Sequence, residues 1–162
     1  MTQKAEFNAE EWSLILEGAP TAAMIVIAAG KGGTIRESMS IGKSYAAEQE
    51  NPDSTELLDA IVHDRPQLDV NRYPDPSKLA TDGLASIKSS IDTLEAKATA
   101  MEAEDYKRFV YAVALNAAEA HKEGGFLGIG GTRVSEHEAE ALARLAETLA
   151  YDAPPLEPTA ES

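Results

Sequence analysis

Four predicted helix starts in this sequence share one pattern, a small polar residue followed three positions later by glutamate. They occupy residues 8–11, 34–37, 53–56 and 135–138. In such a capping box the first side chain accepts a hydrogen bond from the new helix, and the glutamate accepts one from the backbone of the first residue. Four such starts in 162 residues predict an all-α fold.

Proline and glycine complete the predicted helix boundaries. We expect Gly18 to end the first helix and Pro20 to begin a second one, since proline is tolerated in a first helical turn. Asp75 before Pro76 marks the start of the longest helix in the same way. The predicted helices cover residues 9–17, 21–29, 35–49, 57–62, 76–101, 104–122 and 136–149.

Apolar side chains at spacings of three and four give the last three helices a buried face. These faces are Leu79, Gly83, Ile87, Ile91, Leu94, Ala98 and Met101, then Tyr106, Phe109, Val110, Val113, Ala114 and Ala117, then Ala139, Leu142, Leu145, Ala146 and Leu149. A chain of this length suits one core. We therefore expect a single compact bundle of about six or seven helices over residues 1–151. The segment 152–162 contains three prolines without an apolar period, which predicts a disordered acidic tail.

The charge of the chain excludes several classes of partner. Lysine and arginine total 14 against 28 acidic residues, a net charge of -14 that repels nucleic acid and anionic membranes. Such a surface suits solubility, cationic proteins or divalent metal. The chain has no cysteine, and the apolar run at 22–29 is shorter than the ~20 residues that span a bilayer. Without a basic and apolar leader at its start, the sequence predicts a cytoplasmic protein with no membrane span.

The segment 124–131 holds five glycines and three large apolar residues, Phe126, Leu127 and Ile129. It lacks the strand context of a nucleotide-binding glycine loop. Two interpretations remain open. The three side chains can turn inward as a plug between helices, with glycine allowing close passage of the backbone, or they can lie exposed as an anchor that binds a partner protein.

Acidic and imidazole side chains flank this glycine segment on both sides. They are Glu119, His121, Glu123, His137 and Glu140. Oxygen and nitrogen donors of this mixture suit zinc, manganese or iron, so these five residues form a candidate divalent-metal site. Their spacing matches neither a Glu-x-x-His nor a His-Glu-x-x-His pattern, and a solvated surface is the alternative interpretation.

Two places in the chain share one local design, an alanine-rich helix, a turn that ends in Gly-Gly-Thr, and a new helix after a β-branched residue. They lie at residues 28–35 and 130–135. The similarity predicts two pseudo-repeated helical hairpins.

This double hairpin resembles the tellurite-resistance B (TerB-like) family over residues 14–49 and 104–150. The resemblance implies a compact all-helical domain, acidic turns that bind divalent metal, and a role in bacterial stress. At the first turn the family's Ala-Asp-Gly is Ala29-Gly30 here, and at the second an apolar insertion follows Glu123-Gly124. The chain also resembles small bacterial proteins with a Gly-Gly-Phe-Leu-Gly-x-Gly-Gly loop, which implies a fold but no reaction.

Signatures of catalysis are missing from the sequence. There is no cysteine nucleophile and no Gly-x-Ser-x-Gly elbow, and His63, His121 and His137 have no nucleophile at a recognisable spacing. We therefore predict a non-enzymatic acidic scaffold or interaction protein that needs no cofactor and binds a protein partner through the glycine segment. The alternative is a TerB-like divalent-metal protein, and a small hydrolase built on His121 or His137 is a third class.

Overall fold

The computed structural model describes residues 1–30, 35–64, 72–120 and 134–156, with only the backbone of 35–37 and 76. After a short 3-10 turn at Lys4–Glu6, the described residues form six α-helices: α1 (Ala9–Ala29), α2 (Ile35–Gln49), α3 (Glu56–His63), α4 (Pro76–Lys97), α5 (Ala100–Ala120) and α6 (Glu136–Leu149). No strand occurs within the described ranges. The predicted all-α bundle is thereby confirmed.

The first predicted helix start is confirmed in detail. The Asn8 side chain accepts a hydrogen bond from the Glu11 backbone at 2.9 Å, and the Glu11 carboxylate accepts one from the Asn8 backbone at the same distance. Phe7 and Trp12 pack on each other across this start, with ring centroids 5.7 Å apart. Local sequence alone therefore fixes where α1 begins.

The predicted break between residues 17 and 21 was wrong, because α1 continues through both Gly18 and Pro20. Proline lacks the N–H that would bond the carbonyl four residues earlier, so this continuation has a cost. Burial offsets the cost, since residues 18–23 are all buried. The Tyr106 hydroxyl on α5 also donates a hydrogen bond to the Ile15 carbonyl at 2.7 Å. Gly18 does not end the helix. Because it has no side chain, it allows Tyr106 of α5 to approach the α1 backbone closely.

The predicted boundary between α4 and α5 was also misplaced. α4 ends at Lys97 and α5 begins at Ala100, because Thr99 and Glu102 form a capping box that our prediction did not use. The Glu102 backbone donates to the Thr99 hydroxyl at 3.2 Å, and the Thr99 backbone donates to the Glu102 carboxylate at 2.8 Å. Met101, predicted to be buried on α4, is consequently 74% exposed.

The same Glu102 carboxylate ties the start of the chain to α5. Thr2 donates to it from its backbone at 2.9 Å and from its hydroxyl at 2.7 Å. Burial alone would raise the pKa of the Glu102 carboxyl, but the hydrogen bonds from Thr99 and Thr2 outweigh burial and bring that pKa to about 2. Glu102 therefore stays ionised and holds two segments together.

The start of α3 differs from the predicted capping box by two residues. Thr55 is the cap, with its hydroxyl accepting from the Leu58 backbone at 3.3 Å, whereas the prediction placed Asp53 there. The reciprocal carboxylate comes from Asp105 on α5, which accepts from the Thr55 backbone and hydroxyl at 2.8 and 2.9 Å. Arg108 then joins Asp105 to Glu48 at the end of α2. This network fixes the turn between α2 and α3 on α5.

α1 and α5 form the centre of the bundle. α1 packs mainly on α5 and α4, α2 packs mainly on α5, and α6 covers α1, α4 and α5. The largest fully buried side chains are Ile15, Leu57, Leu58, Ile61, Ile87, Leu94, Tyr106, Phe109, Leu142, Leu145 and Leu149. The first predicted hairpin consists of α1 and α2, and these two helices share few contacts with each other. The pseudo-repeat of two hairpins therefore stays a prediction.

Because α1 is continuous, it is a helix of 21 residues that is both long enough and apolar enough to cross a membrane. Of its most apolar stretch, 56% is buried inside the bundle. The core helix of a bundle meets the same criteria of length and composition.

The chain after α6 turns back onto the bundle. Ala150 ends α6 with a positive φ of 50°, and the ring of Tyr151 packs on that of Tyr111 with centroids 5.5 Å apart. Ala153 and Leu156 pack against the core. Residues 157–162 lie outside the described residues, so the predicted domain limit and disordered tail stay predictions.

Replacing Gly18 tests the contact between α1 and α5. A Cβ added at Gly18 would lie 2.0 Å from the Tyr106 hydroxyl oxygen, so we expect Gly18→Ala to lower the free energy of unfolding by about 1 to 3 kcal/mol, as overpacking does. Gly42→Ala on α2 is the control, since nothing lies within 4 Å of a Cβ there and alanine should stabilise the helix by about 1 kcal/mol. Urea unfolding measures both variants. Equal stabilisation by the two substitutions would contradict the contact.

Candidate functional site at the loop end

One end of the bundle gathers the last residues of α1 and α5 and the first residues of α2 and α6. We call it the loop end, because residues 31–34 and 121–133, which hold most of the glycines and lie outside the described residues, connect these helices in the sequence. The helix starts and stops described above place these four ends together.

Gly30 and Glu138 hold α1 against α6 at the loop end. A Cβ added at Gly30 would lie only 2.3 Å from the Glu138 carboxylate. That carboxylate is 1% exposed and accepts from the Ser135 backbone and hydroxyl, each at 2.8 Å. The predicted capping box of α6 is thereby confirmed. Its carboxylate has a second contact, with Gly30, that the sequence did not reveal.

A groove of about 630 Å³ runs between α2 and α5 at the loop end. It is lined by Met39, Ser40, Lys43, Ser44, Ala47, Asn116, Glu119 and Ala120. The Asn116 amide donates to the Ser44 hydroxyl at 2.9 Å, and this hydroxyl donates to the Ser40 carbonyl at 3.1 Å. Met39 is 57% exposed. The groove therefore offers one large apolar side chain among fixed polar groups.

A second, smaller cavity of about 290 Å³ lies between α1, α4 and α6. Its lining residues are Ile25, Ala28, Ala29, Leu79, Ala80, Leu84, His137, Glu140, Ala141 and Arg144. The apolar ones come from all three helices, whereas the three side chains that can carry charge come from α6. This cavity is separate from the α2–α5 groove, since the two share no lining residue.

The predicted metal ligands are divided between these two places. Glu119 lines the groove, whereas His137 and Glu140 line the cavity. Glu140 also accepts a hydrogen bond from Arg144 at 2.8 Å. His121 and Glu123 lie outside the described residues. Within the described ranges no group of three or more acidic or imidazole side chains could hold a metal ion, and the five-residue site stays a prediction.

The predicted partner-binding residues Phe126, Leu127 and Ile129 lie outside the described residues. Whether they form a plug or an anchor is therefore untested. The nearest described residues on either side of them in the sequence are Ala120 at the end of α5 and Val134 before α6. Val134 is 9% exposed and belongs to the core.

Sequence reasoning named Glu119, His137 and Glu140 but missed the small residues that line both clefts. A usable signal existed for the groove, since residues 40, 44 and 47 of α2 are all small and share one face of the helix. Small side chains along one face leave space against a neighbouring helix. For the cavity, Ala28, Ala29, Ala80 and Ala141 give the same signal, but they belong to three helices whose contact is visible only in the fold.

The described histidines have no catalytic partner among the hydrogen bonds of the described residues. The His63 ring lies 2.8 Å from the Asp59 carbonyl on the exposed side of α3. His137 lies exposed on α6. Neither ring contacts a serine or threonine hydroxyl within the described ranges, so no nucleophile can be assigned from this geometry.

A double-mutant cycle tests the contact between Gly30 and Glu138. We expect Gly30→Ala to lower the free energy of unfolding by about 1 to 2 kcal/mol, since its methyl group displaces the capping carboxylate. Glu138→Ala alone should cost about 1 kcal/mol through loss of the cap. In the Glu138→Ala background Gly30→Ala should cost almost nothing, because the clash is gone. Strictly additive effects, measured by urea unfolding, would show that the two residues do not interact.

Comparison with known proteins assigns no family to this chain. No protein-family model matches it, and neither a curated protein nor a solved structure matches it. The resemblance to the TerB-like family therefore stays a prediction from the residues that carry it.

Proposed function

We propose that this protein is a non-enzymatic, acidic helical interaction protein that binds a protein partner at the loop end. The observation that carries the proposal is the α2–α5 groove with its exposed Met39. The groove reaches Ala120, the last described residue before the apolar glycine segment. The glycine segment, which holds the predicted partner-binding residues Phe126, Leu127 and Ile129, begins four residues after Ala120 in the sequence.

The composition of the groove suits a protein surface better than a small substrate. Methionine is flexible and polarisable, so it adapts to partners of different shape. Around it, Lys43, Asn116 and Glu119 supply the polar rim that protein interfaces have. A link to bacterial stress rests on the TerB-like resemblance alone.

The charge of the chain favours a basic partner. Seven described cationic side chains already form ion pairs with carboxylates: Lys4, Arg72, Lys88, Lys97, Lys107, Arg108 and Arg144. The remaining acids therefore determine the field around the protein, which carries a net charge of -14. A field of this sign speeds association with a cationic surface and weakens as salt is added.

Affinity capture from a lysate of the source organism tests the proposal with three variants. Met39→Glu places a charge in the groove, and a second variant replaces 124–131 with alternating glycine and serine. Met101→Glu is the matched control, because Met101 is an exposed methionine on α5 outside the groove. We expect the wild type and Met101→Glu to retain the same partner, and the other two variants to lose it at least about tenfold, as loss of a central interface residue does.

The folded state of each variant is checked by its melting temperature. Retention of every captured protein by folded Met39→Glu and by the folded loop variant would contradict binding at the loop end. Binding that is unchanged between low and high salt would contradict a basic partner.

The competing proposal, a divalent-metal protein, draws support from the placement of His137 and Glu140 at one cavity. Calorimetric titration with zinc or manganese separates the two proposals. Micromolar binding that is lost in His137→Ala and kept in the exposed control His63→Ala would favour metal. We expect no such binding, because His137 and Glu140 supply two donors at this cavity, beside the cation of Arg144, whereas zinc sites use three or four protein ligands.

A further inference from the structure

The cavity between α1, α4 and α6 has space because its walls are made of small side chains. Ala28 and Ala29 of α1 face Ala80 of α4 and Ala141 of α6 across it. Deeper in the bundle α1 and α4 touch, since a Cβ added at Gly83 would lie 2.9 Å from the Ile25 side chain. The two helices therefore meet at Gly83 and leave an opening toward the loop end.

The floor of this cavity is apolar. Ile25 and Leu79 are 5% and 7% exposed, and Leu84 packs partly against the same core. At about 290 Å³ the volume lies just below the ~300 to 1,000 Å³ of ordinary ligand pockets. The space therefore suits a small molecule with one apolar group, and it is too small for a long acyl chain.

The mouth of the cavity carries both signs of charge. His137, Glu140 and Arg144 lie at spacings of three and four along one face of α6. Arg144 donates to Glu140 at 2.8 Å, and both side chains are more than half exposed, at 62% and 60%. An exposed pair of this kind contributes little to stability. Both charges can therefore turn toward a ligand without loss to the fold.

We propose that this cavity binds a free α-amino acid with an apolar side chain, such as leucine. The side chain enters the floor formed by Ile25, Leu79 and Leu84. Arg144 holds the α-carboxylate, which matches the fork of its guanidinium donors. Glu140 accepts from the α-ammonium group, and His137 donates a further hydrogen bond to the carboxylate.

The combination of charges selects this ligand over simpler ones. A fatty carboxylate would pair with Arg144 alone, and an alkyl amine with Glu140 alone. A zwitterion offers a partner of opposite charge to each of the two residues, and a polar side chain would leave the apolar floor unfilled. The proposal goes beyond the proposed function, because none of these residues lines the α2–α5 groove.

Isothermal titration of the full chain with L-leucine tests the proposal. Glycine, leucinamide and N-acetyl-L-leucine are the matched probes that lack the side chain, the carboxylate and the cation respectively. Arg144→Gln removes the cation at the mouth, and Ala80→Leu fills the cavity. Lys88→Gln is the control, since it removes the cation of another exposed pair one helical turn apart, with Asp92 on α4.

We expect leucine to bind the wild type and Lys88→Gln equally, and each of the three probes to bind at least about tenfold more weakly, because each forfeits one group of contacts. Arg144→Gln should lower the affinity for leucine by a similar factor, whereas Met39→Glu in the groove should leave that affinity unchanged. Circular dichroism checks whether the Ala80→Leu variant is folded. Absence of leucine binding to the wild type overturns the proposal, as does unchanged leucine binding in folded Arg144→Gln and Ala80→Leu. Binding of leucinamide or N-acetyl-L-leucine as tight as that of leucine would overturn it as well.

Discussion

The close contact between α1 and α5 is the constraint on which the rest of the bundle depends. Gly18 brings the α1 backbone against the Tyr106 hydroxyl, which donates to the Ile15 carbonyl at 2.7 Å. Because this contact and the burial around it keep α1 in one piece through Pro20, a single helix of 21 residues can serve α4, α5 and α6 as a common packing surface. Burial of an apolar helix on several sides thus outweighs the helix-breaking tendency of its own sequence.

Helix boundaries that are set by a complete local motif were predictable from the sequence, and those that depend on another helix were not. Asn8 and Ser135 act as predicted because their capping boxes are local and complete within four residues. Gly18 and Pro20 were misread, since their local preference yields to packing against Tyr106, which lies 88 positions after Gly18 in the sequence. Thr55 was missed for a related reason, because its carboxylate partner Asp105 lies on another helix. Nonlocal partners therefore explain these errors.

At the loop end the same limit applies to function. Glycine composition drew attention to this end, and Gly30 packing on Glu138 shows one physical use of a glycine there. The two clefts depend on small residues from different helices, so no single stretch of sequence announces them. His137 and Glu140 were predicted as metal ligands, and the fold places them with Arg144 beside an apolar floor. The same two residues thus support a different chemical hypothesis once their neighbours are known.

Amide hydrogen exchange along α1 tests the continuity of this helix most directly. We expect the amides of Ala19, Thr21, Ala22 and Ala23 to exchange only through global unfolding, because they lie in one buried helix. Rates near those of free peptides at Ala19 and Thr21, with protected amides on either side, would show two helices joined by a turn. That result would contradict the central position of α1 and the packing of the other helices that follows from it.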